Sequence, residues 1–137
     1  ALTGEPRTAF RAYHDASNWT WLYYDTPLAR WVFEVRRAGT TYRATKSAMP
    51  VVNTWYQLGG RVTGVQAELG LTQYTASVFV AGVKGTGAVV GGVMTQVDVA
   101  NLIIGCTSLG VASLDGKIRK ISSHQIVFTD TEMARPI

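Results

Sequence analysis

His14 and Asp15 form a directly adjacent acid–base pair, and proton transfer is the chemistry such a pair could perform. Neighbouring residues on a strand project to opposite faces, so the two are expected to sit as a surface loop pair and not to act together. His124 lies far away in the chain and has no motif around it. There is no nucleophile elbow and no His-Glu-x-x-His helix. The glycine-rich stretch Gly82 to Gly92 leads into no helix, which removes the basis for cradling a phosphate. Retaining glycoside hydrolysis needs two carboxyl groups about 5 Å apart. None of the nine acidic residues stands two places from another on a predicted strand, and Asp130 and Glu132 fall at a predicted tail helix. These patterns point away from an enzyme.

Binding chemistry is better represented. The stretch Asn18 to Asp25 places Trp19, Trp21 and Tyr23 on one strand face and Thr20, Leu22 and Tyr24 on the other. Stacking on a sugar ring uses exposed aromatics with polar neighbours, which makes Trp19, Trp21, Tyr24 and Asp25 the candidate glycan or partner contact. Core packing, or packing against a neighbouring subunit, is the competing use of so many rings. The formal charge is +4, but most arginines and lysines are scattered singly. The tight groupings, Arg36-Arg37 and Lys117-Arg119-Lys120, form no dense stripe, and nucleic acid is not expected as a partner. Arg36, Arg37, Lys117 and Lys120 define a lower alternative, a polyanion-binding surface. Cys106 is the lone cysteine, beside the apolar run Leu102-Ile103-Ile104, so the fold must rest on its core without an internal disulfide. No apolar stretch is long enough to cross a bilayer, and no membrane partner is expected.

The elements that must position these residues read as short strands. Hydrophobic residues make up 47% of the chain in valine-rich runs cut by 14 glycines, and at 137 residues one domain, 1–137, can bury a real core. Strands are predicted over Thr8–Tyr13, Asn18–Tyr24, Trp31–Arg37 and Thr41–Lys46, the last two joined by a hairpin at Ala38-Gly39. Further strands are predicted at Thr54–Leu58, continuing to Arg61-Val62, and at Ala76–Val83 with a tight turn at Ala81-Gly82. Asn101–Gly105 reads as a brief buried strand, and Lys117–Phe128 as one or two more. Thr129 and Glu132 have capping-box spacing for a short final helix, which Pro136 would stop. So many strands with almost no helix predict a two-sheet antiparallel sandwich.

Two segments resemble laminin G-like, concanavalin A-type domains. Thr54-Trp55-Tyr56-Gln57-Leu58, followed later by Ser77-Val78-Phe79-Val80-Ala81-Gly82-Val83, resembles a family strand and hairpin, with Ala81 where the family usually has Asn. Leu102-Ile103-Ile104-Gly105, then Leu114-Asp115-Gly116-Lys117-Ile118-Arg119-Lys120-Ile121, then Phe128 to Met133, resembles the closing segments, with Ile118 and Ile121 as anchors. The resemblance covers residues 54 to 135 and implies a jelly-roll sandwich with a short C-terminal helical turn. The region before Trp55 is shorter than the family's front half, and Gly64 to Thr75 is longer than the usual turn.

Calcium is the cofactor the resemblance brings with it, and Asp25, Asp98, Asn101 and Asp115 are the loop-placed oxygen donors it could use. Each also serves more simply as a turn residue, and no cofactor is the first expectation. The expected role is a non-enzymatic structural or interaction module of a longer chain, in a viral particle or extracellular assembly. Its expected partner is a protein or a second copy, through the aromatic row and Met94 to Ile104; a lectin-like module is the alternative.

Overall fold

A computed structural model describes residues 6–51, 53–66, 72–90, 101–105, 117–122 and 129–135. The predicted front-half strands form β1 (Arg7–Asp15), β2 (Asn18–Asp25), β3 (Arg30–Arg37) and β4 (Thr40–Ser47). Their alternating patterns pair them in an antiparallel meander, and β9 (Asn101–Ile104) adds to the free side of β1. The five-stranded order is β4-β3-β2-β1-β9. A second antiparallel sheet pairs β5 (Leu58–Gln66) with β6 (Thr72–Val80), and β6 also pairs with β7 (Val83–Lys84) and β8 (Ala88–Val90). Among the described residues the architecture is all-β, two antiparallel sheets with one short helix, α1 (Asp130–Met133).

Apolar side chains at every second position build the core between the sheets. Leu22 and Tyr24 of β2, Trp31, Phe33 and Val35 of β3 and Ala44 of β4 meet Ala76, Val78 and Val80 of β6. Gly60 on β5 permits the close approach, because a Cβ there would overlap the Phe33 ring. Two of the two-residue hairpin loops, those of β3–β4 and β6–β7, pair alanine with glycine at positive φ, Ala38 (47°) with Gly39 and Ala81 (50°) with Gly82. This primed-turn geometry matches the twist of the flanking strands. The short helix α1 docks against Gly59, Gly82 and Arg61 on the outer side of the second sheet. Thr129 caps that helix with the expected capping box, Gln57 donates to the Met133 and Arg135 carbonyls, and Arg61 and Lys84 both pair with Asp130.

Four expectations need correction. Trp55 lies outside any strand and is 62% exposed, since β5 begins only at Leu58. Ile118 and Ile121, expected as anchors, are exposed, and 117–122 is not a strand. β9 is a strand as expected but not a buried one: it is last in its sheet among the described residues, and Leu102 and Ile104 are exposed. His14 and Asp15 do approach, at 3.4 Å, because a register shift between Tyr13 and Asp15 breaks the strict alternation. Met94 to Ala100 (Asp98 among them), Cys106, Asp115 and His124 lie outside the described residues.

Candidate interaction surface

The outer face of the five-stranded sheet collects residues that the sequence spreads over thirty-odd positions. Register puts Arg11, Trp21, Glu34 and Arg43 in one row across β1, β2, β3 and β4. Tyr13, Trp19, Arg36 and Thr41 form the next row. Trp19, Trp21 and Tyr23 therefore share a face, as their spacing predicts, and it is the face turned away from the core.

Glu34 organises this surface. Its carboxylate accepts the Trp19 indole N–H at 2.8 Å, the Tyr23 hydroxyl at 3.2 Å and the Arg43 Nε–H at 2.7 Å. Burying a carboxylate is costly unless its lone pairs are satisfied, and these donors supply that satisfaction at a residue only 3% exposed. Burial and the neighbouring Glu34 charge push the Tyr23 phenol up to about 12. The Glu34 hydrogen bond, outweighing partial burial, raises Arg43 above an ordinary arginine. Beside this network the Trp21 indole N–H donates to the Thr8 hydroxyl at 3.0 Å, and the Trp21 and Tyr23 rings stand 4.2 Å apart.

Two guanidinium groups lie on the aromatic row. Arg36 sits 4.6 Å from the Trp19 ring centre, reaching in from β3. Arg11 reaches in from β1 and stands 4.9 Å from Trp19, 5.1 Å from Trp21 and 5.0 Å from Tyr13. Such contacts hold a cation by the ring quadrupole and restrict its rotamers. Burial lowers Arg11 below an ordinary arginine, partly offset by Tyr13 and Glu34.

The candidate contact residues do not all converge. Tyr24 is buried in the core on the opposite face from Trp19 and Trp21. Asp25 closes the end of β2 and accepts from Arg30 Nε at 3.2 Å. Asn18 is a structural bridge between two turns: its amide N–H donates to Asp15 at 3.0 Å, and its oxygen accepts the Ala38 N–H at 3.2 Å. Asn101 pairs with Tyr13 while Asp25 lies beyond the Arg7–Tyr24 pair at the other end of β1. At strand rise these two calcium candidates stand about 20 Å apart, so they share no ion. No cluster of three metal-binding side chains occurs among the described residues.

Arg36 and Arg37 also separate. Arg37 donates to the Trp19 and Arg36 carbonyls and to the Thr20 hydroxyl, and burial lowers it. Lys117 and Lys120 are exposed. The pairing that sequence reasoning missed is Arg11 with Arg36: 25 positions separate them in the chain, and only the β1-β2-β3 register reveals that both flank Trp19. His14 and Asp15 sit exposed at the β1–β2 turn, and the Ser17 N–H holds the Asp15 carboxyl below the usual range. Compared with known proteins, the chain matches no family model, no curated sequence and no solved structure.

Proposed function

We propose that the chain is a non-enzymatic interaction module, a jelly-roll sandwich of the laminin G-like kind serving in a viral particle or extracellular assembly, which meets a protein partner through the outer face of its five-stranded sheet. One observation carries this reading: Arg11 and Arg36 flank Trp19 while Glu34 pins its indole N–H, a rigid aromatic–arginine surface outside the core. Tryptophan, tyrosine and arginine are the residue types that dominate binding energy at protein contacts. Side chains already held in place lose less entropy on association. The positions of the Ala81-Gly82 hairpin and of α1 support the jelly-roll assignment, while exposed Trp55 and Ile118 weigh against it.

The lectin-like alternative is less favoured, because sugar stacking needs a free ring and guanidinium groups lie over Trp19 and Trp21. A face-to-face pair of identical copies would bring like charges together, which favours a partner of different composition. No cofactor enters this role.

Hydroxyl-radical footprinting in the protein's native setting tests the proposal, with exposed Trp55 as internal reference. Trp19 and Trp21 are expected to be protected relative to the purified chain. Unchanged reactivity at both, with protection at Trp55 instead, would move the contact to the surface around Trp55 and overturn the assignment.

A further inference from the structure

Resting on that reading of the face, we propose that its partner presents an extended acidic protein segment whose carboxylates are gripped by Arg11 and Arg36. The face and such a segment are complementary in charge. Three arginines, Arg11, Arg36 and Arg43, stand on the two central rows of this face against one carboxylate, Glu34. Glu34 is consumed by Arg43, Trp19 and Tyr23, so it neutralises the arginine at the β4 side of the sheet. Among the described residues, neither Arg11 nor Arg36 has a carboxylate within ion-pair distance. Their Nε atoms are buried without a hydrogen-bond partner, while both groups are held against aromatic rings.

With both Nε atoms buried, and with Arg36 Nη1 donating to the Thr41 hydroxyl at 3.4 Å, the Nη–H groups are the part left to a ligand, and a pair of them matches a carboxylate in fork geometry. Both groups lie within 5 Å of the same Trp19 ring centre, so the two cations stand no more than about 10 Å apart. Carboxylates on alternate residues of an extended chain lie roughly 7 Å apart on one side, which lets one short segment engage both. Arginine clusters are a recurrent means of reading acidic motifs. A single-stranded nucleic acid would instead seek open ring faces for its bases, and a sulfated glycan open faces for its sugars; here the guanidinium groups occupy them.

The test uses the full chain and a fluorescein-labelled peptide of alternating Glu and Thr, followed by anisotropy. A Gln-for-Glu peptide, an oligothymidylate and a heparin-derived oligosaccharide of similar length serve as competitors. The acidic peptide is expected to bind, with affinity falling as salt rises. Arg36→Gln and Arg11→Gln are each expected to weaken it at least tenfold, with unchanged melting temperature, and Lys117→Gln with Lys120→Gln to leave it unaltered. Should Arg11→Gln unfold, Arg11→Lys keeps the charge without the planar fork and is expected to give an intermediate loss. Equal binding of the Gln peptide, tighter binding of the oligothymidylate or the oligosaccharide, or equal loss in the lysine variant would each overturn the proposal. If acidic peptide fails to bind while Trp19 and Trp21 remain protected in the native setting, the contact face stands and its acidic partner falls. If protection is absent too, both fall.

Discussion

Arg43 donates its Nε–H to the Glu34 carboxylate at 2.7 Å across the β3–β4 pair, with the glutamate 3% exposed and the arginine side chain 55% exposed. The two partners therefore carry unequal stakes. Removing the exposed member leaves a carboxylate that still accepts from Trp19 and Tyr23, whereas altering the buried member leaves several donors misdirected at once.

Glu34→Gln is accordingly expected to destabilise the chain by about 2–4 kcal/mol, because the amide presents N–H groups to a site built of donors. Arg43→Ala is expected to cost about 1 kcal/mol or less, since solvent screens its pair. Urea unfolding of both variants checks the order, and a larger loss at Arg43 would contradict it.

Tyr23 gives a pH dependence. Its phenol is raised in the folded state, so the folded chain holds that proton more tightly than the unfolded chain. The resulting stability is fully present below about pH 10 and is lost as pH climbs toward 12, by an amount on the order of 2 kcal/mol. Unfolding measured at pH 9 and pH 11.5 should show this decline, and Tyr23→Phe should flatten it. An unchanged slope in the phenylalanine variant would place the titrating group elsewhere.

Asp130 at α1 gives the opposite pH dependence. Arg61 and Lys84 hold the Asp130 carboxyl below the usual range, so the docking it supports is present above about pH 4 and is lost as pH falls through its lowered value. Asp130→Asn should lower amide-exchange protection across 130–135 at neutral pH, taken relative to the intrinsic rate, to that of wild type in acid. Equal protection in both proteins would assign the docking to Met133 and Gln57 alone.

Much of the front half is legible from residue types. Period-two alternation marks β1 to β4, alanine–glycine pairs mark two hairpin turns, and Thr129 with Glu132 marks α1. The same alternation sets Trp19, Trp21 and Tyr23 on one face, yet it cannot say which face turns inward when both are apolar. Leu22, Tyr24, Trp31 and Phe33 make the inner one, and Tyr24 leaves the candidate contact for that reason. Trp55 and Ile118 carry no periodic signal that separates core from exposed positions. The Arg11–Trp19–Arg36 arrangement depends on register between three strands, a long-range property that no local spacing encodes.

The hairpin at Ala38 offers a gain. A left-handed alanine is strained, and asparagine tolerates that conformation. Ala38→Asn keeps the backbone N–H that donates to Asn18 and is expected to stabilise the chain by about 0.5–1 kcal/mol in thermal unfolding. Ala38→Val should lower stability instead, and a gain with valine would contradict the turn geometry.

Gly60 offers the matching loss. Any side chain there meets the Phe33 ring between the sheets. Gly60→Ala is expected to cost about 3 kcal/mol, and Phe33→Leu in the same chain should recover part of it by making room. Simple addition of the two losses would mean that β5 does not press on β3 as described.

In the proposed function Arg11 and Arg36 serve contact and not folding. Co-sedimentation of the double variant Arg11→Gln, Arg36→Gln with the protein's native assembly addresses this, beside a melting curve of the same purified variant. Loss of co-sedimentation with the melting temperature kept is the predicted result. Full retention in the assembly, or collapse of the fold with no separate effect on association, would contradict it.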